Sequence, residues 1–442
     1  MDEAGLLEDL IARAKAAGAD QADAVLAAGT ALSVQRRLGQ TEHVERSEAR
    51  DLGLRVFVGK RSAVVSSSAI DPAGFAQLAE RAVAMARVVP EDPYNGLAEQ
   101  AAYVDQAPLD LVDPAEPDAE SLVARTAAAE DAALAVPGIT NSEGASAGFG
   151  RMVAFLVTSA GFAGRFERTS HSVSAAAVAG TGTAMQRDYD FSSAVHLADL
   201  ESPEAIGRLA AERAITRLNP RRPKTAQMPV LYDPRVSAGI LGHLAGSING
   251  ASVARGTTFL KDKLGSRIFP ESITIHDDPL RVRGLRSRCF DGEGVPTTPR
   301  AIIDNGVLTI WLLDSRTARQ LGMVTTGHAA RGAGGPPSPG PSNFYMAPGP
   351  QTPAELMADI REGLYVTELI GMGVNGLTGD YSRGAAGFMI RDGAIAEPVA
   401  EITIAGNLLH MFAHLSAAND LRFKRGMDAP TLRVEGMTVA GA

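Results

Sequence analysis

His410 and His414 stand four positions apart in a segment with helical patterning. On a helix this spacing puts both imidazoles on one face, as in a two-histidine metal pair. The residues between them, Met411, Phe412 and Ala413, supply no carboxylate. Glu401 falls on a preceding strand-like run and Asp420 beyond the helix, so neither completes the set. A surface pair is the simpler reading. His243 lies in a second helical segment, Pro234 to Ile248. Zinc peptidases place two histidines on a helix with a glutamate beside the first. The glutamate takes a proton from a metal-bound water whose pKa the metal lowers to about 7. Here Leu244 follows His243 and cannot act as a base, and Ile248 cannot bind a metal. Taken alone, His243 is a structural histidine on a half-apolar helix.

Cys289 is the one cysteine, set between Arg288 and Phe290. Arg281, Arg283, Arg286 and Arg288 would lower its pKa if they converged on it. No histidine adjoins it, which favours a structural thiol. Gly371 to Gly376 spells Gly-x-Gly-x-x-Gly, but it follows a helical-looking segment rather than a strand that opens a helix. A turn with close backbone approach is expected there. No Gly-x-Ser-x-Gly elbow and no P-loop occurs, so these residues alone yield no legible active site.

The elements that would position these groups follow from patterning. Leu6, Leu7, Leu10, Ile11 and Ala14 predict a helix ending near Gly18. Asp51–Gly59 alternates with period two and turns at Gly59-Lys60 into Ser62–Ser68. Helices are predicted over Pro72–Val88, Asp118–Val136 and Pro203–Leu218, and short β runs over Ile139–Val195. Val89 to Pro117 reads as a surface loop. The stiff stretch Asn219-Pro220-Arg221-Arg222-Pro223 marks a boundary, giving an N-terminal domain 1–220 and a C-terminal domain 221–442. Asn305-Gly306 and Asp392-Gly393 predict two hairpins. Glu401–Ile404 predicts a further strand, Leu408 to about Ala417 a helix, and Thr431–Val434 the last strand. Gly327–Ser342 is a long aperiodic Gly/Pro loop, a candidate mobile wall of a substrate chamber. The fold class is α+β: antiparallel strands with flanking helices, then a β-rich second half.

The chain has 442 residues and a formal net charge of −9, which leaves no electrostatic footprint for direct nucleic-acid binding. The basic cluster Arg213, Arg217, Arg221, Arg222 and Lys224 is broken by Pro220 and Pro223 and reads as a solvated linker. A single cysteine fits a reducing compartment. The acidic N-terminus is unlike a signal peptide, and no apolar run is long enough to span a bilayer, so a cytoplasmic, non-membrane protein is expected.

Several segments resemble the TldD/PmbA family: Leu52–Arg61, Phe290–Thr297, Gly379–Phe388, Glu401–Leu408 and Val434–Gly441, in family order. The family has two kinds of subunit. The TldD kind carries His-Glu-x-x-x-His on a helix and a cysteine before the last strand as zinc ligands; the PmbA (TldE) kind lacks them. This sequence resembles the PmbA kind. His243 stands at the first histidine, Leu244 at the glutamate and Ile248 at the second histidine, and Asn419–Pro430 holds no cysteine. The resemblance implies a heterodimeric zinc metallopeptidase that trims or degrades unfolded peptides. Zinc would sit in the TldD-like partner, and this chain would have no cofactor or catalytic residue and would complete the chamber. Self-association in the partner's absence is compatible with the sequence. The competing reading is a regulatory or binding protein, a homodimer linked to gyrase or an antitoxin, with no proteolytic role.

Overall fold

The computed structural model describes residues 2–99 and 107–441, so part of the Val89–Pro117 segment lies outside the described residues. Helix α1 (Glu3–Ala16) starts at Asp2, whose side chain accepts the Gly5 N–H, and buries Leu7, Leu10, Ile11 and Ala14. It packs with α2 (Phe75–Val88) on β1 (Gln21–Arg37), β2 (Gln40–Val58) and β3 (Arg61–Ser67). The predicted turn at Gly59-Lys60 joins β2 to β3, with Val58 opposite Arg61. The other half of this sheet is β4 (Ile139–Thr158), β5 (Ala163–Ala179) and β6 (Gln186–Ala194), in the order β3-β2-β1-β4-β5-β6 and antiparallel throughout.

Helices α3 (Ala119–Leu134) and α4 (Pro203–Thr216) cover the β4–β6 half through an alanine-rich interface that includes Ala129, Ala175, Ala177, Ala210 and Ala214. The short β runs expected over Ile139–Val195 are in fact two strands of 20 and 17 residues and one of nine. Their Ala, Ser and Gly content hides the alternation: small side chains bury readily without reading as a hydrophobic face.

The second half builds a sheet from β7 (Ala226–Tyr232) and later strands. Helix α5 (Pro234–Ser247) follows β7, capped by Asp233, and α6 (Gly250–Ala254) follows it. Next come β8 (Ile275–Asp277), then β9 (Arg300–Asp304) and β10 (Val307–Leu308), then α7 (Ser315–Gln320). The turn between β9 and β10 has Asn305 and Gly306 both at positive φ, as a tight hairpin requires. After α7 come β11 (Ala329–Ala330), β12 (Ser338–Pro339), β13 (Phe344–Met346) and α8 (Pro353–Met357). The chain ends with β14 (Glu362–Ile370), β15 (Asp380–Arg391), β16 (Ala394–Asn407), α9 (Leu408–Ala413), β17 (Leu415–Ala417), β18 (Met427–Asp428) and β19 (Leu432–Ala440).

The order of the larger C-terminal sheet is β16-β15-β14-β7-β19-β17, and β16 also pairs with β19, so the sheet curls closed. Closure satisfies strand edges that would otherwise be free. Strand Glu401–Ile404 is not separate. It continues β16, where Glu401 sits at φ 54° beside a register shift in the pairing with β15. The helix after Gly406-Asn407 stops at Ala413, shorter than expected.

Candidate functional site

Helix α5 carries the position of greatest interest. Ile240, Leu241 and Leu244 point into the large C-terminal core with Val230, Tyr232 and Leu364. Ile248, at the helix C-cap, is also fully buried there. The His243 ring lies edge-on to Tyr381 at 5.8 Å, and its Nε2 is buried without a hydrogen-bond partner among the described residues. Burial, reinforced by the nearby Arg383 guanidinium, pushes the His243 pKa below the ordinary histidine value. A fixed cation beside the imidazole disfavours a bound metal cation for the same reason.

Of the three motif positions, only His243 offers a donor atom, and Leu244 and Ile248 are core side chains. In Asn419–Pro430, Asp420 accepts the Thr431 N–H and hydroxyl at 2.8 and 2.7 Å. Asp428 accepts three backbone N–H groups, from Lys424, Arg425 and Gly426. Among the described residues, no group of three or more His, Cys, Asp or Glu side chains is placed to hold a metal ion. The residues around His243 do not fit a zinc ion.

His410 and His414 do meet. Their Nδ1 atoms are 2.8 Å apart and both side chains are exposed. Two nitrogens on one tetrahedral zinc would stand roughly 3.3 Å apart, given Zn–N bonds of about 2.0–2.1 Å. The pair is instead closed on itself, and His414 Nδ1 also lies 2.9 Å from the His410 carbonyl oxygen.

Cys289 is buried among Leu109, Leu111, Leu156, Phe162 and Val195. Of the arginines near it in sequence, Arg281 and Arg283 turn to other partners. Arg281 stacks on Phe423 and Arg283 pairs with Asp110 and Asp199. Arg288 Nη2 donates to the Gly340 carbonyl. Leu109, Leu111 and Asp113 are buried, so Val89–Pro117 is only partly a surface loop. The Gly371–Gly376 stretch connects strands β14 and β15, not the helical segment expected before it, and a Cβ at Gly373 would lie 1.9 Å from the Ser382 oxygen. The basic cluster is largely paired too, with Arg213 on Asp190, Arg217 on Asp188 and Arg222 on Glu401.

The Gly327–Ser342 loop is a hairpin, not an open flap. Strands β11 and β12 pair Ala329 with Pro339 and Ala330 with Ser338. Asp277 ties one end: it accepts the Ser342 N–H and hydroxyl, each at 2.7 Å, while His328 Nε2 at the other end lies 3.2 Å from it without a hydrogen bond among the described residues. Serine, aspartate and histidine are thus together, but the carboxylate stands between the other two. The imidazole cannot take the serine proton, so this is a structural clasp rather than a nucleophilic triad.

The hairpin carries Arg331 into a buried ion cluster between the two halves. Asp23 of β1 accepts from Arg55 of β2 at 2.9 Å and from Arg331 at 2.5 Å. Arg55 also lies 3.8 Å from Glu293. Glu293 accepts the Ser315 N–H at 2.8 Å, and Asp291 accepts N–H groups of Glu293, Val295 and Ala329. Burial is the largest influence on Asp23, but Arg55 and Arg331 outweigh it and hold its pKa below the usual carboxylate value. Asp291, buried beside Glu293, is pushed up to about 7. The charges in Leu52–Arg61 and Phe290–Thr297 therefore meet across the interface. Sequence patterning missed this, although an Arg inside the apolar run Leu52–Val58 was a visible anomaly.

Three profiles of one family match in sequence order. They are PmbA/TldA metallopeptidase domain 1 over residues 22–86, the central domain over 112–218 and the C-terminal domain over 225–441. The chain belongs to the PmbA/TldD family. Metalloprotease PmbA of Escherichia coli O157:H7 is 38% identical over 425 residues, covering 96% of this chain and 92% of that protein. A PmbA homologue from Haemophilus influenzae is 34% identical, covering 93% and 90%. A Bacteroides thetaiotaomicron crystal structure, described as a candidate modulator of DNA gyrase, matches with a TM-score of 0.91 at 27% identity, covering 99% and 98%. TldE of Thermococcus kodakarensis shares the fold, with a TM-score of 0.88 at 21% identity over 99% and 100% of the chains.

Proposed function

We propose that this chain is the non-catalytic, PmbA/TldE-type subunit of a two-chain cytoplasmic zinc metallopeptidase that degrades or trims unfolded peptides. The zinc belongs to a TldD-like partner, and this subunit completes the substrate chamber. The observation that carries the reading is on α5. Where a zinc motif needs a base and a second ligand, Leu244 and Ile248 are apolar and buried in the core. No helix among the described residues is long and apolar enough to cross a membrane.

Peptide handling draws support from β2. Its segment Gln40–Asp51 is exposed and pairs with β1, while β3 covers only Leu52–Val58. A strand edge of that kind recognises extended peptides through main-chain hydrogen bonds, which tolerate many sequences.

The test is metal analysis and peptide cleavage by the purified chain, alone and with a TldD-like subunit. Zinc and activity should appear only with the partner. Stoichiometric zinc and cleavage by this chain alone would overturn the proposal. A gyrase-linked regulatory role, suggested by the description of the Bacteroides thetaiotaomicron relative, predicts a different outcome: capture of gyrase from the native cytoplasm without any TldD-like chain.

A further inference from the structure

Helix α5 keeps one row nearly bare. Gly239, His243 and Gly246 follow at i, i+4 and i+7. A Cβ at Gly239 or Gly246 would meet no atom within 4 Å. Glycine inside a helix is destabilising relative to alanine, and no neighbour here requires it. At Gly239 its effect is to keep space open. A cavity of about 360 Å³ lies there, lined by Val236 and Gly239 of α5, Leu369 of β14, Arg383 of β15 and Tyr189 of β6.

Four arginines line this cavity, and three of them have carboxylate partners. Arg217 meets Asp188 at 3.4 Å and also Glu368. Arg235 meets Asp188 at 2.6 Å and Asp233 at 3.0 Å. Arg187 meets Glu143 at 3.3 Å and Glu368 at 3.8 Å. Arg383 meets no carboxylate among the described residues. It is half-buried: its Nε is enclosed, but its two terminal nitrogens stay accessible and bond to no described residue. The groups that feel its charge are His243, Tyr232 and Tyr381, none of them an anion at neutral pH. One guanidinium in the lining is therefore unmatched and reachable.

From this arrangement we infer that the cavity binds a singly charged carboxylate, held by the two terminal nitrogens of Arg383. The parallel N–H groups of a guanidinium match a planar carboxylate. Asp188 and Glu368 also line the cavity, so a dianion would be repelled, and one unmatched cation suits one negative charge. Val236, Leu369 and the Tyr189 ring give the rest of the ligand a partly apolar surface. Two sources have this chemistry: a small free carboxylic acid, or the C-terminal carboxylate of a peptide. Binding of this kind belongs to the chain by itself and does not rest on the peptidase role.

Ligand-observed NMR titration of the full chain tests it, with butyrate, butyramide, inorganic phosphate, and N-acetyl-Ala-Ala as free acid and as amide. Saturable binding of an acid with a Kd on the order of 1 mM is expected, and its amide should bind at least about tenfold more weakly. Phosphate should bind more weakly than the acid. Arg383→Gln should weaken the acid at least about tenfold. Gly239→Leu fills the cavity without touching a charge and should do the same. Leucine is a good helix former and meets open space there, so this variant serves if Arg383→Gln does not fold. Binding of the free-acid peptide but not its amide identifies a peptide end as the ligand; binding of butyrate alone identifies a free acid. No saturable binding by either acid, amides that bind as well as acids, phosphate that binds more tightly, or undiminished binding in Gly239→Leu overturns the assignment.

Discussion

Arg55 of the N-terminal sheet holds Asp23 at 2.9 Å and reaches Glu293 of the C-terminal half at 3.8 Å. Arg331, from the Gly/Pro-rich hairpin, takes the other oxygen of Asp23 at 2.5 Å. One buried carboxylate therefore serves two guanidiniums from opposite sides of the interface. Asp23→Ala would take the carboxylate from Arg331 and leave Arg55 only the 3.8 Å approach to Glu293. A loss of about 3–5 kcal/mol is expected, measured by urea unfolding. A change below about 1 kcal/mol would mean that the cluster is not what joins the halves.

The hairpin tip is held as closely by shape as by charge. A Cβ at Gly53 would lie 2.1 Å from the Ala333 carbonyl oxygen, so β2 and the hairpin touch at backbone distance. Gly53→Ala should force them apart at a cost of about 1–3 kcal/mol. Limited proteolysis between Arg331 and Pro337 should accelerate in the variant. Unchanged cleavage would show that the hairpin docks independently of β2.

Stability should carry a pH signature from Asp291. Its pKa is about 7 in the folded protein, raised first by burial and then by Glu293, against 3.8 for an ordinary aspartate. Between these values the folded protein holds a proton that the unfolded chain has released. Stability from this group is therefore fully present below about pH 4 and is lost as pH rises to about 7, by up to about 4 kcal/mol. Asp291→Asn cannot titrate, so the stability of wild type minus variant should shrink across that window. A flat difference would place the Asp291 pKa near its ordinary value.

His410 and His414 give a sharp negative expectation. Their Nδ1 atoms are in contact on the surface, with no carboxylate among the described residues completing a ligand set. Replacing both with Ala should alter stability by no more than about 0.5 kcal/mol and leave the zinc content of the two-chain complex unchanged. Loss of zinc from the double variant would make the pair a metal site after all.

Local chemistry made much of the fold legible. Asn305-Gly306 and Asp392-Gly393 fixed two hairpins because few residues adopt positive φ readily. The amphipathic stripe of Leu7, Leu10, Ile11 and Ala14 located α1. What stayed hidden depends on distant partners. The long β4 and β5 strands bury Ala and Ser against α3 and α4, so they show no apolar alternation. Gly327–Ser342 looked free because nothing near it in sequence reveals that Asp291 accepts the Ala329 N–H at one end and Asp277 holds Ser342 at the other. A cavity between β1, β4 and β5 and the Arg286–Gly292 segment was invisible for the same reason: its walls come from both halves of the chain.

The α5 positions bear most directly on the proposed role. If this helix were a zinc site that had merely lost two side chains, restoring them would be tolerated. The packing argues otherwise. Leu244 and Ile248 are fully buried, among Val230, Tyr232, Leu364 and neighbouring apolar side chains. Leu244→Glu would place a carboxylate in that core with no cation engineered to meet it, and Ile248→His would add a second polar group. The double variant should be destabilised by at least about 3 kcal/mol and should bind no zinc. His243→Leu should behave in the opposite way. Its buried imidazole has a lowered pKa, so the folded protein resists protonation that the unfolded chain accepts. Stability from this group is present above pH 6.5 and falls as pH drops toward the lowered value. His243→Leu should remove that acid-side loss while leaving peptide cleavage by the two-chain complex intact. A stable, zinc-binding Leu244→Glu/Ile248→His variant, or a His243→Leu complex that no longer cleaves peptides, would return the chemistry to this chain.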